Sequence, residues 1–134
     1  MNKLFLVGLV ALAGFGCSEA GKSVAGGISA PPYFVNATVN DAVYPGALKN
    51  VKLCADLDTD KTNGCAYSDT VSMSTGSSAF NIINLPSGVF YVYALKDVDS
   101  NGNFNAGDVY SATQEVTLNG NLTITAPIVL QTVL

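Results

Sequence analysis

Residues 84–99 have the sequence NLPSGVFYVYALKDVD, in which a turn, a strand and an acidic stretch follow one another. Pro86-Ser87-Gly88 has the residue types of a turn. The β-branched and aromatic residues after it predict a strand over Val89–Lys96. The chain then becomes acidic at Asp97. This order predicts a β-strand that ends in a polar loop, and the surrounding sequence continues the alternation of strands and turns.

From Tyr33 onward, short runs of β-branched and aromatic residues are broken about every eight to fifteen residues by Gly, Pro, Asn or Asp, which is typical of all-β domains. No helical period persists after the N-terminal region and no long segment repeats, so helical bundles and solenoids are excluded. Asn119-Gly120 predicts a tight hairpin. The seven predicted strands suit a sandwich; they are Tyr33–Asn40, Val51–Asp56, Thr70–Ser74, Ala79–Leu85, Val89–Lys96, Tyr110–Leu118 and Leu122–Leu130.

The run from Asn84 to Asp99 resembles the stretch LPxGxYxVxAxxDxDxNG of prealbumin-like domains, also called transthyretin-like or carboxypeptidase-regulatory-like domains, of bacterial surface lipoproteins. The resemblance spans roughly residues 33–130. It implies a single seven- or eight-stranded Greek-key β-sandwich, expected over residues 33–134. Such modules are usually non-catalytic accessory or adhesion units. One sandwich scaffold carries many activities, so the resemblance implies the fold more specifically than the function.

The most specific chemical pattern is the loop Asp97–Asp108, which fits a calcium loop position by position. Gly102 stands at position six, where the chain must turn sharply, and Phe104 at position eight is expected to pack into the core beside the loop. Carboxylate and amide oxygens without His or Cys select a hard cation, and the spacing favours calcium over magnesium. The predicted ligands are Asp97, Asp99, Asn101, Asn105 and Asp108 at positions one, three, five, nine and twelve, together with the backbone carbonyl of Asn103.

An Asx-rich hairpin connection is the alternative interpretation, because Asp, Asn and Gly occur in any long turn. Calcium is favoured because a generic turn has no reason to place oxygens at these positions with Gly at position six. Asp108 at position twelve, where an EF-hand usually has Glu, resembles a dockerin loop. The predicted flanks differ from both, since they are strands rather than helices.

A second acidic cluster, formed by Asp56, Asp58 and Asp60, has alternating carboxylates but carries Lys61 where the glycine should be. We expect it to be an ordinary polar loop. The alternative is a shared ion if this loop and Asp97–Asp108 lie at the same end of the sandwich, because close carboxylates repel one another.

The composition excludes several classes of function. The chain has 134 residues, of which 49% are hydrophobic and 12% charged, so it has enough apolar material for one domain with a core. The chain has six Lys, no Arg and a net charge of −4, so it lacks the positive charge to neutralise a run of phosphates. This excludes nucleic-acid binding. The absence of His excludes Ser–His and Cys–His nucleophiles and zinc sites built on imidazole. A small hydrolase would rest only on abundant Ser and Asp, so we expect no enzyme.

The N-terminus carries the features of an export signal. Residues 1–16 combine Lys3 with an apolar stretch that leads into small residues, which predicts a signal peptide. The stretch is shorter than the roughly 20 residues of a transmembrane helix. Cys17 after Ala-Gly-Phe-Gly resembles a bacterial lipoprotein signal, in which the Cys is lipidated and becomes the new N-terminus. Ordinary cleavage after Ala13 is the alternative. Residues 17–32, rich in Gly, Ser, Ala and Pro, predict a flexible tether.

Two cysteines remain once Cys17 is set aside. Cys54 and Cys65 are an even pair in a chain that is predicted to be exported, which predicts a disulfide between them. The bridge would close a polar, turn-rich loop and contribute on the order of 3 kcal/mol in the chain-entropy model. Two cysteines are too few for a Cys-based metal site.

These features predict a cell-envelope protein, membrane-anchored at the outer surface or in the periplasm, or released outside the cell. Its calcium-stabilised sandwich would serve as a binding or structural module for a protein or glycan ligand. The alternative is a filament subunit, in which residues 18–32 or the C-terminal strand Ala126–Leu134 pairs with a neighbouring sandwich. Tyr91 and Tyr93 share one strand face and are expected to pack in the core and its rim rather than form a sugar-stacking platform.

Overall fold

The computed structural model describes residues 32–46, 49–73 and 75–134. The predicted signal peptide over residues 1–16, the lipidation site Cys17 and the tether up to residue 31 lie outside the described residues. Within the described ranges the chain is all-β, as predicted. No helix in those ranges is long and apolar enough to cross a membrane.

Eight strands follow one another in the described part of the chain, and their bounds agree with the predicted ones over most of their length. Three predicted strands begin two or three residues earlier than expected, at Lys49, Tyr67 and Ser77, and the last one continues past Leu130. The strands are β1 (Tyr33–Asp41), β2 (Lys49–Asp56), β3 (Tyr67–Met73), β4 (Ser77–Leu85), β5 (Gly88–Lys96), β6 (Val109–Ser111), β7 (Gln114–Leu118) and β8 (Leu122–Val133).

The single strand predicted over Tyr110–Leu118 was wrong, because it is broken into β6 and β7. Both segments pair with β5, but only β6 also pairs with β8. At the break, the Ala94 N–H donates to the Ser111 hydroxyl oxygen at 2.8 Å, and that hydroxyl donates to the Ala112 carbonyl at 2.9 Å. A side-chain oxygen thus replaces a backbone acceptor where the chain leaves the ladder.

The strands form one sheet in the order β3-β2-β5-β6-β8-β1-β4, which curls until it is nearly closed into a barrel. Most pairs are antiparallel, whereas β1 and β8 are parallel. At the remaining gap, the Asp69 carboxylate on β3 accepts the Asn81 N–H of β4 at 2.9 Å. The predicted hairpin at Asn119-Gly120 was wrong: β7 pairs with β5, and β8 pairs with β1 and β6, so this turn links strands that are not partners.

The main core lies inside the barrel and comes from alternate residues of the long strands, as expected when one face of each strand points inward. Phe90 and Val92 of β5 and Leu53 of β2 belong to this core and are almost fully buried. The remaining buried members are Val35, Ala37, Val39, Val51, Ala55, Met73, Phe80, Ile82, Leu85, Ala94, Val109, Leu118, Ile128 and Leu130.

Strand β5 is also covered on its outer face. Cys54, Tyr93 and Leu95 form a second, small cluster there, and Cys65, Phe104 and Tyr110 pack against it. Cys65 comes from the β2–β3 loop and Phe104 from the β5–β6 loop. Phe104 therefore packs beside its loop as predicted, although on the outer cluster rather than the main core.

The register places the β2–β3 and β5–β6 loops at opposite ends of the barrel. Asp56, where the β2–β3 loop begins, pairs with Tyr91 near the start of β5, whereas Lys96 at the end of β5 pairs with Val51. The start of β1 lies at the first of these ends, because Tyr33 pairs with Leu85, just before β5. With about 3.3 Å per strand residue, the loop Asp97–Asp108 begins roughly 25–30 Å from the point where the N-terminal segment enters.

Candidate metal site

Three carboxylates of the β5–β6 loop converge. One oxygen from each of Asp97, Asp99 and Asp108 lies within 4.8 Å of the others. Over residues 32–46, 49–73 and 75–134, this is the one group of three or more such side chains placed closely enough to hold a metal ion. The loop thus gathers the three charged members of the predicted ligand set.

The first half of the loop is folded around its own acidic side chains. The two carboxylate oxygens of Asp97 accept the backbone N–H groups of Asn101 at 3.2 Å and Gly102 at 2.8 Å. Asp99 accepts the Asn101 N–H at 3.1 Å. Ser100 and Gly102 have φ angles of 59° and 84°. Glycine adopts such angles without strain, which explains the advantage of Gly102 at position six.

Asp108 anchors the second half of the loop to the barrel. Its side chain is buried, and its two oxygens accept the N–H groups of Val98 and Asn105, each at 2.8 Å. Its backbone carbonyl accepts the Leu134 N–H at 2.8 Å, and the Gly107 N–H donates to the Leu134 carbonyl at 3.2 Å. The position of Asp108 is therefore fixed from both ends of the loop and from the end of β8.

The amide residues of the predicted ligand set have different roles in the loop. The Asn101 amide nitrogen donates to Asp99 at 2.7 Å, while its side-chain oxygen accepts the Asn103 N–H at 2.7 Å. Asn105 donates its N–H to Asp108, and its carbonyl accepts the Asp108 N–H at 3.1 Å. Asn103 is exposed at the tip. The structure thus joins Asn101 directly to the acidic group and places Asn103 and Asn105 in the chain that closes the loop.

Burial and hydrogen bonding have opposite effects on the pKa of Asp97. Burial alone would raise the pKa of Asp97, but hydrogen bonds, first among them that from the Gly102 N–H, hold it below its ordinary value. Asp97 is therefore ionised at neutral pH, beside two further carboxyl groups. An all-oxygen set of this kind fits a hard divalent cation, which would relieve the repulsion.

The second acidic cluster does not gather in this way. The carboxylate of Asp56 accepts the Tyr93 hydroxyl at 2.8 Å, Asp58 accepts the Asn63 amide at 3.0 Å, and Asp60 accepts the Thr62 hydroxyl at 2.7 Å. Each carboxylate has a donor of its own. Because the two acidic loops also begin at opposite ends of the barrel, the structure does not favour an ion shared between them.

Position six of this second loop has a different role. The Lys61 ammonium lies 5.0 Å from the centre of the Tyr93 ring and 5.4 Å from that of Tyr110, and it donates to the Thr113 hydroxyl at 2.8 Å. Burial and the bond to Asp56 raise the pKa of the Tyr93 hydroxyl. Tyr93 is fully buried and Tyr91 half-buried, in agreement with the packing role expected for both.

The predicted cysteine pair is joined in the structure. Cys54 in β2 and Cys65 form a disulfide with their Cα atoms 5.5 Å apart, a usual separation for such a bond. The bridge closes the β2–β3 loop beside Tyr93.

Sequence reasoning missed a buried ion pair at the root of the β5–β6 loop. Lys96 and Asp41 are both almost fully buried, and the Lys96 ammonium contacts the Asp41 carboxylate and donates to the Tyr44 carbonyl at 3.0 Å. Burial alone would raise the pKa of Asp41, but hydrogen bonds from Lys96, Tyr44 and Val43 keep it below its ordinary value. The available signal was strand alternation, which places Lys96 on the same inward face as Val92 and Ala94.

Comparisons of the chain with protein-family models, with curated proteins and with solved structures gave no match. The resemblance of residues 84–99 to prealbumin-like domains therefore stays a prediction from the sequence.

Proposed function

We propose that this protein is an exported, lipid-anchored protein of the cell envelope whose β domain is a calcium-stabilised, non-catalytic binding or structural module. The observation that carries the proposal is the convergence of the Asp97, Asp99 and Asp108 carboxylates within 4.8 Å. An ion held there would link the ends of β5, β6 and β8, because Asp108 is bonded to Val98 and Leu134. Calcium would thus stabilise one end of the barrel.

The position of the loop supports a role in binding or display. The N-terminal segment enters at the barrel end that contains Tyr33 and Leu85, whereas the acidic loop lies at the other end, next to Asp41 and Lys96. If Cys17 carries the lipid, the loop is held at the end of the domain that is farther from the attachment point. Because calcium is abundant outside the cell, a weak site would stay occupied there, and the site would have no sensing role.

We also propose that the domain is a prealbumin-like Greek-key sandwich preceded by a signal peptide and a tether. The supporting observations are the all-β architecture, β5 at the predicted place and the acidic loop directly after it. Intact-mass analysis of the native protein tests the N-terminal part. We expect a mature chain that starts at acylated Cys17, and Cys17→Ser should release it from the membrane. A mature chain that starts at Gly14 without lipid would contradict the anchor.

Calorimetric titration with calcium tests the site. We expect one ion per chain with a dissociation constant of roughly 10⁻⁴–10⁻³ M, as in extracellular modules. Asp97→Asn and Asp99→Asn should abolish the heat of binding. Asp58→Asn is the matched control, because it makes the same charge change in the other acidic loop. Equal loss of binding in all three variants would show a diffuse charge effect instead of a site.

A filament subunit is the second candidate, because β3 and β4 each pair along one edge only. Strand β8 lies between β1 and β6, so donating residues 126–134 to a neighbour would open the barrel. Residues 18–32 are therefore the better donor in this alternative. Size measurement of the purified protein separates the candidates: polymers favour the filament, and a uniform monomer favours the module.

A further inference from the structure

A groove with a volume of about 230 Å³ lies between the acidic loop and the outer face of β2 and β3. Its apolar part is formed by Leu95 and Phe104. The Phe104 ring packs edge-to-face on Tyr110, with the ring centres 6.0 Å apart. The groove therefore has an aromatic wall at the end of the domain farther from the N-terminal segment.

The polar side chains around this wall supply donors and acceptors together. Lys52 offers an ammonium donor, and Thr70 and Asn103 can each donate and accept. With calcium bound, the two positive charges of the ion and the one of Lys52 would balance the three carboxylates of Asp97, Asp99 and Asp108. A charged ligand would be repelled by a group of the same charge at one side of the groove.

We propose that this groove binds one neutral hexose ring of a glycan. A pyranose has apolar ring faces that can pack on the half-buried Phe104 ring, and hydroxyl groups that donate and accept at once, which matches the mixed rim. The volume is below that of pockets for drug-sized ligands, so it suits a single ring rather than a long segment. Neither Tyr91 nor Tyr93 lines this groove, and Tyr93 is buried, so the proposed sugar contact does not involve them.

The dependence of this site on calcium rests on the proposed function. Asp97, Asn103 and Phe104 all belong to the acidic loop, so an ion that fixes the loop also fixes one wall of the groove. Removal of calcium would leave the carboxylates repelling one another and the wall less ordered. Sugar binding should therefore weaken in EDTA.

The test is a titration of the isotope-labelled protein, followed by amide NMR, with the methyl glycosides of glucose, galactose and mannose in excess calcium. We expect at least one to shift the amides of Leu95 and of residues 102–104 at millimolar to tens of millimolar concentration. Lys52→Gln and Phe104→Leu should each weaken binding by about tenfold or more. Asp58→Asn, which changes one charge in the loop at the opposite end of the barrel, should leave binding unchanged.

Several outcomes would overturn the proposal: no glycoside shifts these amides, methyl glucuronoside alone shifts them, or the shifts persist in Phe104→Leu. Calcium-dependent melting of Phe104→Leu separates this proposal from the previous one. If calcium still stabilises that variant and sugar binding is lost, both hold. If the wild type binds a neutral glycoside but is indifferent to calcium, the groove assignment holds and the calcium proposal fails.

Discussion

The two acidic loops of this protein have similar compositions but are held in different ways. Both begin with carboxylates at alternate positions, at Asp56 and at Asp97. The sixth position is Lys61 in one loop and Gly102 in the other. The first loop is closed by a disulfide, and its carboxylates bind local donors. The second has no cysteine and draws three carboxylates within 4.8 Å. Acidic composition alone therefore does not bring carboxylates together; the loop in which three converge has a glycine at position six and a carboxylate that returns at position twelve.

The largest expected effect concerns the root of the second loop. Asp41→Asn would leave the Lys96 ammonium buried without its counter-charge, which should cost about 3–5 kcal/mol of unfolding free energy. The double variant Asp41→Asn/Lys96→Met removes both charges and should recover part of that loss. Urea denaturation measures both. If Asp41→Asn lowers the unfolding free energy by less than about 1 kcal/mol, the ion pair does not anchor the loop.

The next effect concerns the first loop, which depends on its covalent closure. Cys65→Ser should lower the unfolding free energy by on the order of 3 kcal/mol, because the unfolded chain regains the freedom that the bridge removes. Calcium should stabilise this variant as much as the wild type, since the two loops begin at opposite ends of the barrel. Thermal melting with and without calcium checks this. Loss of the calcium response would show that the loops are coupled through Tyr93 and Phe104.

A smaller effect is expected from the turn itself. Gly102→Ala places a Cβ at a φ of +84° and should cost about 1–2 kcal/mol, although nothing within 4 Å obstructs the new atom. Gly120→Ala is the matched control, because its surroundings are equally open and no positive φ is found there. The unfolding free energies of the two variants, measured by chemical denaturation, should differ by this amount. Equal stabilities would mean that position six does not require glycine.

The smallest effect appears only in acid. The pKa of Asp41 is lower in the folded protein than its ordinary value of 3.8, so its contribution to stability is complete above that value. The contribution is lost as the pH falls through the folded pKa. Stability curves from pH 5 downward should therefore drop less steeply for Asp41→Asn than for the wild type. Parallel curves would contradict the assignment.

The sequence predicted those features that depend on neighbouring residues. Strand β5 follows from its β-branched and aromatic run, and the convergence of Asp97, Asp99 and Asp108 follows from their spacing around Gly102. Features that join distant residues were not predictable in this way. Lys96 meets Asp41 across 55 positions. Likewise, β8 pairs in parallel with β1 instead of forming a hairpin with the preceding strand.

The break between β6 and β7 belongs to a third kind of feature. The residue at the break, Ser111, is of a type that also occurs in continuous strands. Its hydroxyl replaces a backbone acceptor only because the Ala94 N–H of β5 donates to it. Pairing choices of this sort depend on the whole sheet and not on the residues of one strand.

The central claim, that the loop Asp97–Asp108 holds calcium, is tested most directly by the melting temperature of the wild type in EDTA and in rising calcium. At ten times a dissociation constant of roughly 10⁻³ M, binding should add about 1.4 kcal/mol to the unfolding free energy. For a domain of this size we expect the melting temperature to rise by about 4–8 °C and to increase further with concentration. A melting temperature that is the same in EDTA and in millimolar calcium would show that the loop is an ordinary Asx-rich turn.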